Sequence, residues 1–314
     1  MATFPAPRGA FRGVFPAPDL VPAPFGLLSV ADVKSSDANS NNDIQDKWIR
    51  GYSIDYYSNP SAIDILDKYN DTVTNGQLST SDTDNYFLNI DPFFIQVEDN
   101  GSLMGVLGLD RRDRIMKQLI ASTQKAAEWE LWNGGAALAE ASIDNSDVLS
   151  GSPFLIAEGG ANILTNGGVD PRNALWQLEG AVSNSPIGIP GVIHMSRDVA
   201  SFLTQNKAIG VHTGPDGQEH LRTALGTPVI AGAGYTGNGP IGQDDADASA
   251  TNKWAFVTGP VAVFLGDPEI VNKDYSEGVK TSTNDYLLRA QRPASVYFDT
   301  SVFYAAQITI PDTP

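Results

Sequence analysis

Two short stretches of the sequence have the spelling of cofactor or metal sites. GAGYTG at 232–237 has the glycine spacing of a dinucleotide-binding turn, and DDADASATN at 244–252 begins like a calcium-binding loop. A dinucleotide site needs its glycines to open a helix that holds the pyrophosphate, and the following NGPIGQDD cannot form that helix. The second stretch lacks the glycine at the sixth loop position and the closing glutamate. We therefore interpret them as a glycine-rich turn and a solvated surface loop.

The residues of hydrolytic and metal catalysis are sparse. The chain has three histidines, His194, His212 and His220, and no cysteine. His212 and His220 flank an Asp-Gly turn without a third ligand spaced to join them, whereas His194 lies in an apolar stretch typical of a core residue. The sequence has no G-x-S-x-G elbow, and no pair stands out among its 37 acidic residues. We expect no catalytic residue, cofactor or metal and hence no enzyme; a monomeric acidic hydrolase acting on carbohydrate is the alternative from another class.

Composition narrows the choice of partners. The 314 residues carry a net charge of -17, which disfavours sequence-specific DNA binding. Only 18% of the residues are charged, which favours a protein that covers much of its surface against something else. No apolar run approaches the ~20 residues that span a bilayer, so we expect no membrane partner.

The N-terminal block is rich in proline and aromatic residues. FPAP occurs at 4–7 and 15–18, and VPAP follows at 21–24. Proline fixes its own backbone and restricts the preceding residue, so this block should be extended. We expect an arm whose aromatic residues dock on a neighbouring subunit, with a solvated tail as the alternative; the candidate contacts are Phe4, Phe11 and Phe15.

An acidic region follows, with two strand-like pieces at 48–58 and 93–98. We interpret it as a long β-hairpin that reaches out from the body; a loop-rich patch of a compact domain is the alternative.

The clearest element is a helix over 110–133. Asp110 is a suitable N-cap, and Gly134 a suitable residue just beyond the C-terminus. The spacing places one set of residues on the inner side: Met116, Leu119, Ile120, Thr123, Ala127 and Leu131. It places another set outside: Lys117, Gln124, Lys125 and Glu128. The basic start of the helix, Arg111, Arg112 and Arg114, either meets an acidic hairpin of the next subunit or is a solvated first turn.

Shorter elements complete an α+β chain. Asp170 and Pro171 should begin a second helix, and 190–196 reads as a buried strand whose Ser196 caps a short helix. Residues 206–252 are rich in turn formers. WAFVTGPVAVFL at 254–265 predicts two strands about a Gly-Pro break, and 295–310 alternates with period two. The irregular mixture of helices and antiparallel-looking strands predicts an α+β class.

The order of these features resembles the major capsid proteins of tailed bacteriophages, whose shell-forming fold is shared by herpesvirus capsids and encapsulins. The resemblance runs from about Trp48 to Ile310. It depends most on GTPVIAGAGYTGNGP, TGPVAVFLGD and RAQRPASVYFDTSVFYA. It implies an N-terminal arm over 1–45 and an extended loop over 46–97. It further implies a peripheral domain with a long spine helix, made from 98–187 and 287–314, and an axial domain over 188–286.

The resemblance also implies a function and partners. The protein would be a structural subunit that forms pentamers and hexamers of an icosahedral capsid around double-stranded DNA, assembled in the bacterial host cytoplasm. A portal protein, a separate scaffolding protein and a decoration protein are the further partners implied. Subunit cross-linking through Lys68 and Asn284 is a further hypothesis. An encapsulin-like compartment is the alternative within the same fold.

Trp129 and Trp132, in EWELWNGG at the end of the long helix, have two interpretations. In a shell, this end of the helix would pack against other protein, and tryptophan suits subunit interfaces. Alternatively, both indoles belong to the core of their own subunit. Both remain candidate inter-subunit contacts at this point.

Overall fold

The computed structural model describes residues 21–35, 52–55, 87–90, 92–102, 111–134, 153–184, 188, 190–214, 217–271, 279–280 and 285–310. The helices of these residues are α1 (Arg111–Asn133), α2 (Pro171–Val182) and α3 (Arg197–Gln205), and a 3-10 turn spans Leu27–Ser29. The strands in the first half of the chain are β1 (Asp32–Ser35), β2 (Tyr52–Asp55), β3 (Phe87–Ile90), β4 (Phe93–Ser102) and β5 (Asn162–Val169). The strands up to Leu265 are β6 (Val192–Ser196), β7 (Ile209–Thr213), β8 (Glu219–Thr223), β9 (Pro228–Gly232), β10 (Asn252–Thr258) and β11 (Val261–Leu265). The last strands are β12 (Glu269–Ile270), β13 (Val279–Lys280), β14 (Asp285–Phe298) and β15 (Phe303–Thr309).

A seven-stranded sheet, with the order β5-β15-β10-β6-β9-β8-β7, is buried on both faces at its centre. Successive side chains of a strand point to opposite faces. Trp254 and Phe256 of β10 accordingly join the core cluster that contains α1, whereas Ala255 and Val257 join the cluster that contains α2 and α3. The period-two alternation predicted for 295–310 is confirmed in its second half, because the alternating residues Val302, Ala306 and Ile308 are buried in that second cluster.

A six-stranded sheet forms around the long strand β14. Along β14, residues 285–294 pair with β4 and 294–298 pair with β11, both antiparallel, while β12 and β13 add short pairings. β1 pairs with β11 in parallel, so residues from the N-terminal region extend this sheet. Ile95 of β4 and Val296 of β14 are buried in the same cluster as Leu119 of α1. The long helix therefore covers this sheet as well.

The two strands predicted at 254–265 are present, but they belong to different sheets. β10 lies in the seven-stranded sheet and β11 in the six-stranded one. The chain passes from one sheet to the other at the Gly259–Pro260 break, and it crosses back at Asp299, between β14 and β15. The two crossings lie side by side, and Gly259 N–H donates to the Asp299 carbonyl at 2.9 Å. A Cβ at Gly259 would lie 2.9 Å from Asp299 Cβ, so the close approach of the two crossings requires glycine.

Local signals placed the helices correctly. Asp170 accepts a hydrogen bond from Arg172 N–H at 2.9 Å, and Pro171 is the first residue of α2, as predicted. Gly134 has φ of 70°, the conformation expected of a glycine that ends a helix. Asp110, the predicted N-cap of α1, lies outside the described residues. Ser196 precedes α3 as predicted, but its hydroxyl donates to Asp198 instead of capping the backbone.

Two expectations about strands need correction. The strand at 93–98 does not form a hairpin with the one near 52; β2 pairs with β3, and β4 joins β14. Residues 206–252, described above only as rich in turn formers, contain the strands β7, β8 and β9. β5 and β15 share the seven-stranded sheet with β6–β10, whereas β11 and β12 lie in the other sheet.

The α+β class is confirmed. Among the described residues, no helix combines the length and the apolar character needed to cross a membrane.

Candidate functional site

The long helix α1 buries two polar residues that helical spacing had placed outside. Gln124 is 5% exposed and Glu128 is 0% exposed. Residues 23–27 and the loop 233–236 cover them, and neither segment can be recognised as a neighbour of α1 from the sequence. The prediction that Gln124 and Glu128 face outward was wrong, because it treated a polar side chain as evidence of solvent exposure.

Glu128 joins these two distant segments through one carboxylate. Its Oε1 accepts a hydrogen bond from Leu27 N–H at 2.9 Å, and its Oε2 accepts one from Gly234 N–H at 2.8 Å. Each bond satisfies a backbone donor that would otherwise be buried alone. We call Glu128, Gln124 and Arg197 together with residues 23–27 and 233–236 the Glu128 site.

Residues 23–27 are held at almost every peptide group. Gln124 Nε2 donates to the Ala23 carbonyl at 2.8 Å, and Arg197 Nη1 donates to the Pro24 carbonyl at 2.9 Å. The Phe25 carbonyl accepts from Ala231 N–H at 2.9 Å. This part of the predicted N-terminal arm is therefore bound to its own chain.

Two glycines permit the close approach of these segments. A Cβ at Gly26 would lie 2.3 Å from Glu128 Oε1, and a Cβ at Gly234 would lie 2.4 Å from the Lys125 carbonyl oxygen. The second distance involves backbone and cannot be relieved by a side-chain rotation. Gly234, the second glycine of GAGYTG, thus serves contact between a loop and a helix.

Burial raises the pKa of Glu128, and the N–H groups of Leu27, Gly234 and Ala233 and the charge of Arg197 oppose that rise. A raised pKa in the folded chain means that the stabilisation from this group is fully present below its unfolded pKa. That stabilisation is lost as the pH rises through the folded pKa.

His194 forms a second buried polar contact, next to the Glu128 site. Its Nδ1 lies 2.9 Å from the Tyr235 hydroxyl, and its Nε2 lies 2.9 Å from Thr258 Oγ1. Since Thr258 Oγ1 already donates to the Gly259 carbonyl, it accepts from His194 Nε2–H, and Tyr235 O–H donates to Nδ1. Burial lowers the pKa of His194 to about 3, so the imidazole is neutral. The prediction of a satisfied core histidine is confirmed.

Trp132 belongs to the core of its own chain. Its indole is 0% exposed, and its ring centroid lies 4.6 Å from Tyr235 and 5.1 Å from Phe256. Its Nε1–H donates to the Asn238 carbonyl at 3.1 Å, which satisfies the one polar atom of the ring. Trp132 must therefore be removed from the candidate inter-subunit contacts, because a partner cannot reach it without opening the core.

Trp129 is 40% exposed and lies beside a surface groove of about 540 Å³. We call this the Trp129 groove; it is lined by Ser122, Lys125, Ala126, Trp129 and residues 233–236. One wall is thus α1, and the other is the loop whose Gly234 is bound by Glu128. Of the two tryptophans, this one alone keeps a surface that a neighbour can contact.

The basic start of α1 interacts with its own chain. Arg111 Nη1 lies 3.2 Å from Asp99 Oδ2 of β4, while the side chains of Arg112 and Arg114 are exposed. Lys117 pairs with Asp113 one turn earlier at 3.0 Å. An acidic partner in another subunit remains a prediction for these residues. Phe4, Phe11, Phe15, Lys68 and Asn284 lie outside the described residues.

In the described part of the chain, no group of three or more His, Asp or Glu residues is placed to hold a metal ion. His212 and His220 face each other across the β7–β8 pairing. What the Glu128 site does is hold backbone: it binds two separate peptide segments to one helix.

Comparison with known proteins places this architecture. Neither a family model nor a curated protein sequence matches the chain. Among solved structures, the capsid of Ralstonia phage GP4 aligns over 98% of this chain and 97% of its own, with a TM-score of 0.52 and 13% identity. The chain has the fold of the tailed-phage capsid proteins. A structure from Mycobacterium phage Ogopogo covers 96% of both chains, with a TM-score of 0.51 and 13% identity. The SrpI encapsulin of Synechococcus elongatus PCC 7942 covers 97% of this chain and 95% of its own, with a TM-score of 0.52 and 10% identity.

Truncating Trp132 should destabilise the chain strongly. Trp132→Ala removes a fully buried indole and leaves a cavity, so the free energy of unfolding should fall by about 3–5 kcal/mol. Trp176→Ala is the matched control, because Trp176 is 74% exposed and its loss should change stability by less than about 0.5 kcal/mol. Urea unfolding followed by circular dichroism would measure both. Equal effects would mean that Trp132 is not in the core.

Acid should destabilise the fold through His194. The folded chain keeps this imidazole neutral, whereas an unfolded histidine binds a proton near pH 6.5, so stability is lost as the pH falls from 6.5 towards 3. Between pH 8 and pH 5 this group should remove about 2 kcal/mol from the free energy of unfolding. His194→Gln can keep both hydrogen bonds without titrating, so it should lose less stability over that interval. Identical pH dependence of the two chains would contradict the assignment.

Proposed function

We propose that this protein is the structural subunit of an icosahedral shell of a tailed phage. The observation that supports the proposal is the fold itself, which aligns with the capsid of Ralstonia phage GP4 over nearly the whole length of both chains. Under this proposal the subunit associates with itself in pentamers and hexamers, and its role is structural and not enzymatic. Its location is the virion capsid, assembled in the cytoplasm of the bacterial host.

The charge of the chain fits the content that we propose, double-stranded DNA. A net charge of -17 gives a wall that does not hold phosphate by Coulomb attraction, so a packaged genome stays free to move in and out. Binding would be without sequence specificity. A portal protein and a separate scaffolding protein are the further partners we propose, together with a decoration protein on the outer surface.

A second candidate function is supported by the likeness to the SrpI encapsulin, whose TM-score equals that of the Ralstonia phage capsid. In that case the shell would enclose a protein cargo. The contents of purified particles distinguish the two candidates, because nuclease-protected DNA supports the phage shell and a co-purifying protein supports the compartment.

Inter-subunit contacts are proposed at three places. The first is the Trp129 groove, where a second copy would cover the exposed part of the indole. The second is the exposed pair Arg112 and Arg114, with Arg111 beside them, for an acidic partner surface. The third is the proline-rich N-terminus with Phe4, Phe11 and Phe15.

The same proposal divides the chain into four parts: an arm (1–45), an extended loop (46–97), a peripheral domain (98–187 and 287–314) and an axial domain (188–286).

Assembly is the direct test. The full chain should form rings, capsomers or closed shells when expressed alone or with a scaffolding protein, visible by size exclusion and negative-stain microscopy. A chain that stays monomeric with its scaffold and cleaves a glycan would instead support the acidic hydrolase.

Trp129→Ala should lower the yield of assembled particles at least several-fold without unfolding the subunit. The reason is that a half-exposed indole at an interface contributes most of its energy only when a partner covers it. The control is the melting temperature of the unassembled chain, which should change little. Undiminished assembly of the variant would exclude the Trp129 groove as a subunit contact.

A further inference from the structure

Two side chains connect the same pair of backbone segments. Glu128 accepts from Leu27 N–H and from Gly234 N–H, as described above. Arg197 Nη1 donates to the Pro24 carbonyl at 2.9 Å and lies 3.4 Å from the Ala231 carbonyl. The Phe25 carbonyl binds Ala231 N–H directly. Residues 23–27 are therefore linked to residues 231–234 by one direct bond and by two shared side chains of opposite charge.

We propose that residues 23–27 act as an internal ligand whose docking fixes the loop 233–236, and with it one wall of the Trp129 groove. The coupling depends only on the contacts within the chain. Its consequence for assembly, that an undocked N-terminal segment leaves the groove without its loop wall, depends on the proposed function.

Glu128 carries the coupling because a single carboxyl group accepts both hydrogen bonds. If residues 23–27 leave, Oε1 loses its donor and water reaches a carboxylate that is otherwise 0% exposed. The side chain can then rotate, and Gly234 N–H loses an acceptor while still packed against α1. A buried donor without a partner is costly, so the loop has to move.

The loop lies in close contact with the helix at this hydrogen bond. A Cβ at Gly234 would lie 2.4 Å from the Lys125 carbonyl oxygen and 2.9 Å from Trp129 N. The loop therefore lies directly against the helix backbone at the turn that carries Trp129. Ala233, Gly234, Tyr235 and Thr236 all line the groove, so its width depends on this contact.

Linkage makes the coupling reciprocal. Whatever loosens residues 23–27 should loosen residues 233–236, and whatever loosens the loop should loosen the N-terminal segment. The glycines offer one perturbation on each side, and neither substitution removes the Glu128 carboxyl group or the Arg197 guanidinium.

The first experiment perturbs the N-terminal side and measures the loop. Gly26→Ala places a Cβ 2.0 Å from Gln124 Nε2 and 2.3 Å from Glu128 Oε1. Hydrogen exchange of the full, unassembled chain, followed by mass spectrometry, should become about tenfold faster in residues 23–31 and also in residues 231–237. Gly180→Ala is the matched control, since a Cβ there meets nothing within 4 Å, and it should change neither segment.

The second experiment runs in the opposite direction. Gly234→Ala forces the loop away from the Lys125 carbonyl, and exchange should become faster in residues 23–31 as well as in the loop. The coupling is overturned if each substitution accelerates only its own segment.

A third measurement covers the case in which either variant fails to fold. Native-state exchange of the wild-type chain in increasing denaturant should show residues 23–31 and 231–237 opening together, with the same free energy and the same denaturant dependence. Separate opening of the two segments would overturn the coupling. Since all three experiments use the unassembled chain, they test the coupling whether or not shells form.

Discussion

The structure depends on one constraint: a single helix serves the cores of two sheets. Leu119 and Leu131 of α1 share a buried cluster with Ile95 and Val296 of the six-stranded sheet and with Phe256 of the seven-stranded sheet. The sides of the helix that face the two sheets are shielded from the water that would solvate polar groups. The polar side chains that the helix buries need hydrogen-bond partners. Glu128 obtains them from two backbone segments and does not depend on a counter-ion alone.

The parts of the fold that could be predicted from the sequence are those that depend on local signals. Helix ends were predictable because their signals are local, as at Asp170, Pro171 and Gly134. Strands with apolar alternation were also predictable, including both strands around Gly259–Pro260. Their partners were not, because pairing is set by contacts far apart in sequence. β4 appeared to belong with β2 by proximity, yet it pairs with β14 almost two hundred residues later.

The candidate site was largely hidden from sequence analysis for the same reason. Glu128 occupies an outward position by helical spacing, and only the arrival of Leu27 and Gly234 makes it an interior residue. Trp132 and Trp129 differ by three positions, yet one is fully buried and the other is 40% exposed. His194 was easier, because an apolar strand on both sides already indicated burial. Composition could not separate these cases, since burial depends on which distant segment covers a residue.

The parallel pairing of β1 with β11 has a consequence for synthesis. Residues 23–35 are synthesised before Ala231 and the strand β11 (Val261–Leu265), which bind them and follow more than 190 residues later. At a translation rate of about 5–20 residues per second, the binding partners of this segment are made roughly 10–50 s after it. Pro22 and Pro24 cannot donate to a strand ladder, so this part of the segment resists incorrect pairing while it waits. Residues 23–35 are thus made long before the residues that bind them, and they can reach their final position only after those residues have been made.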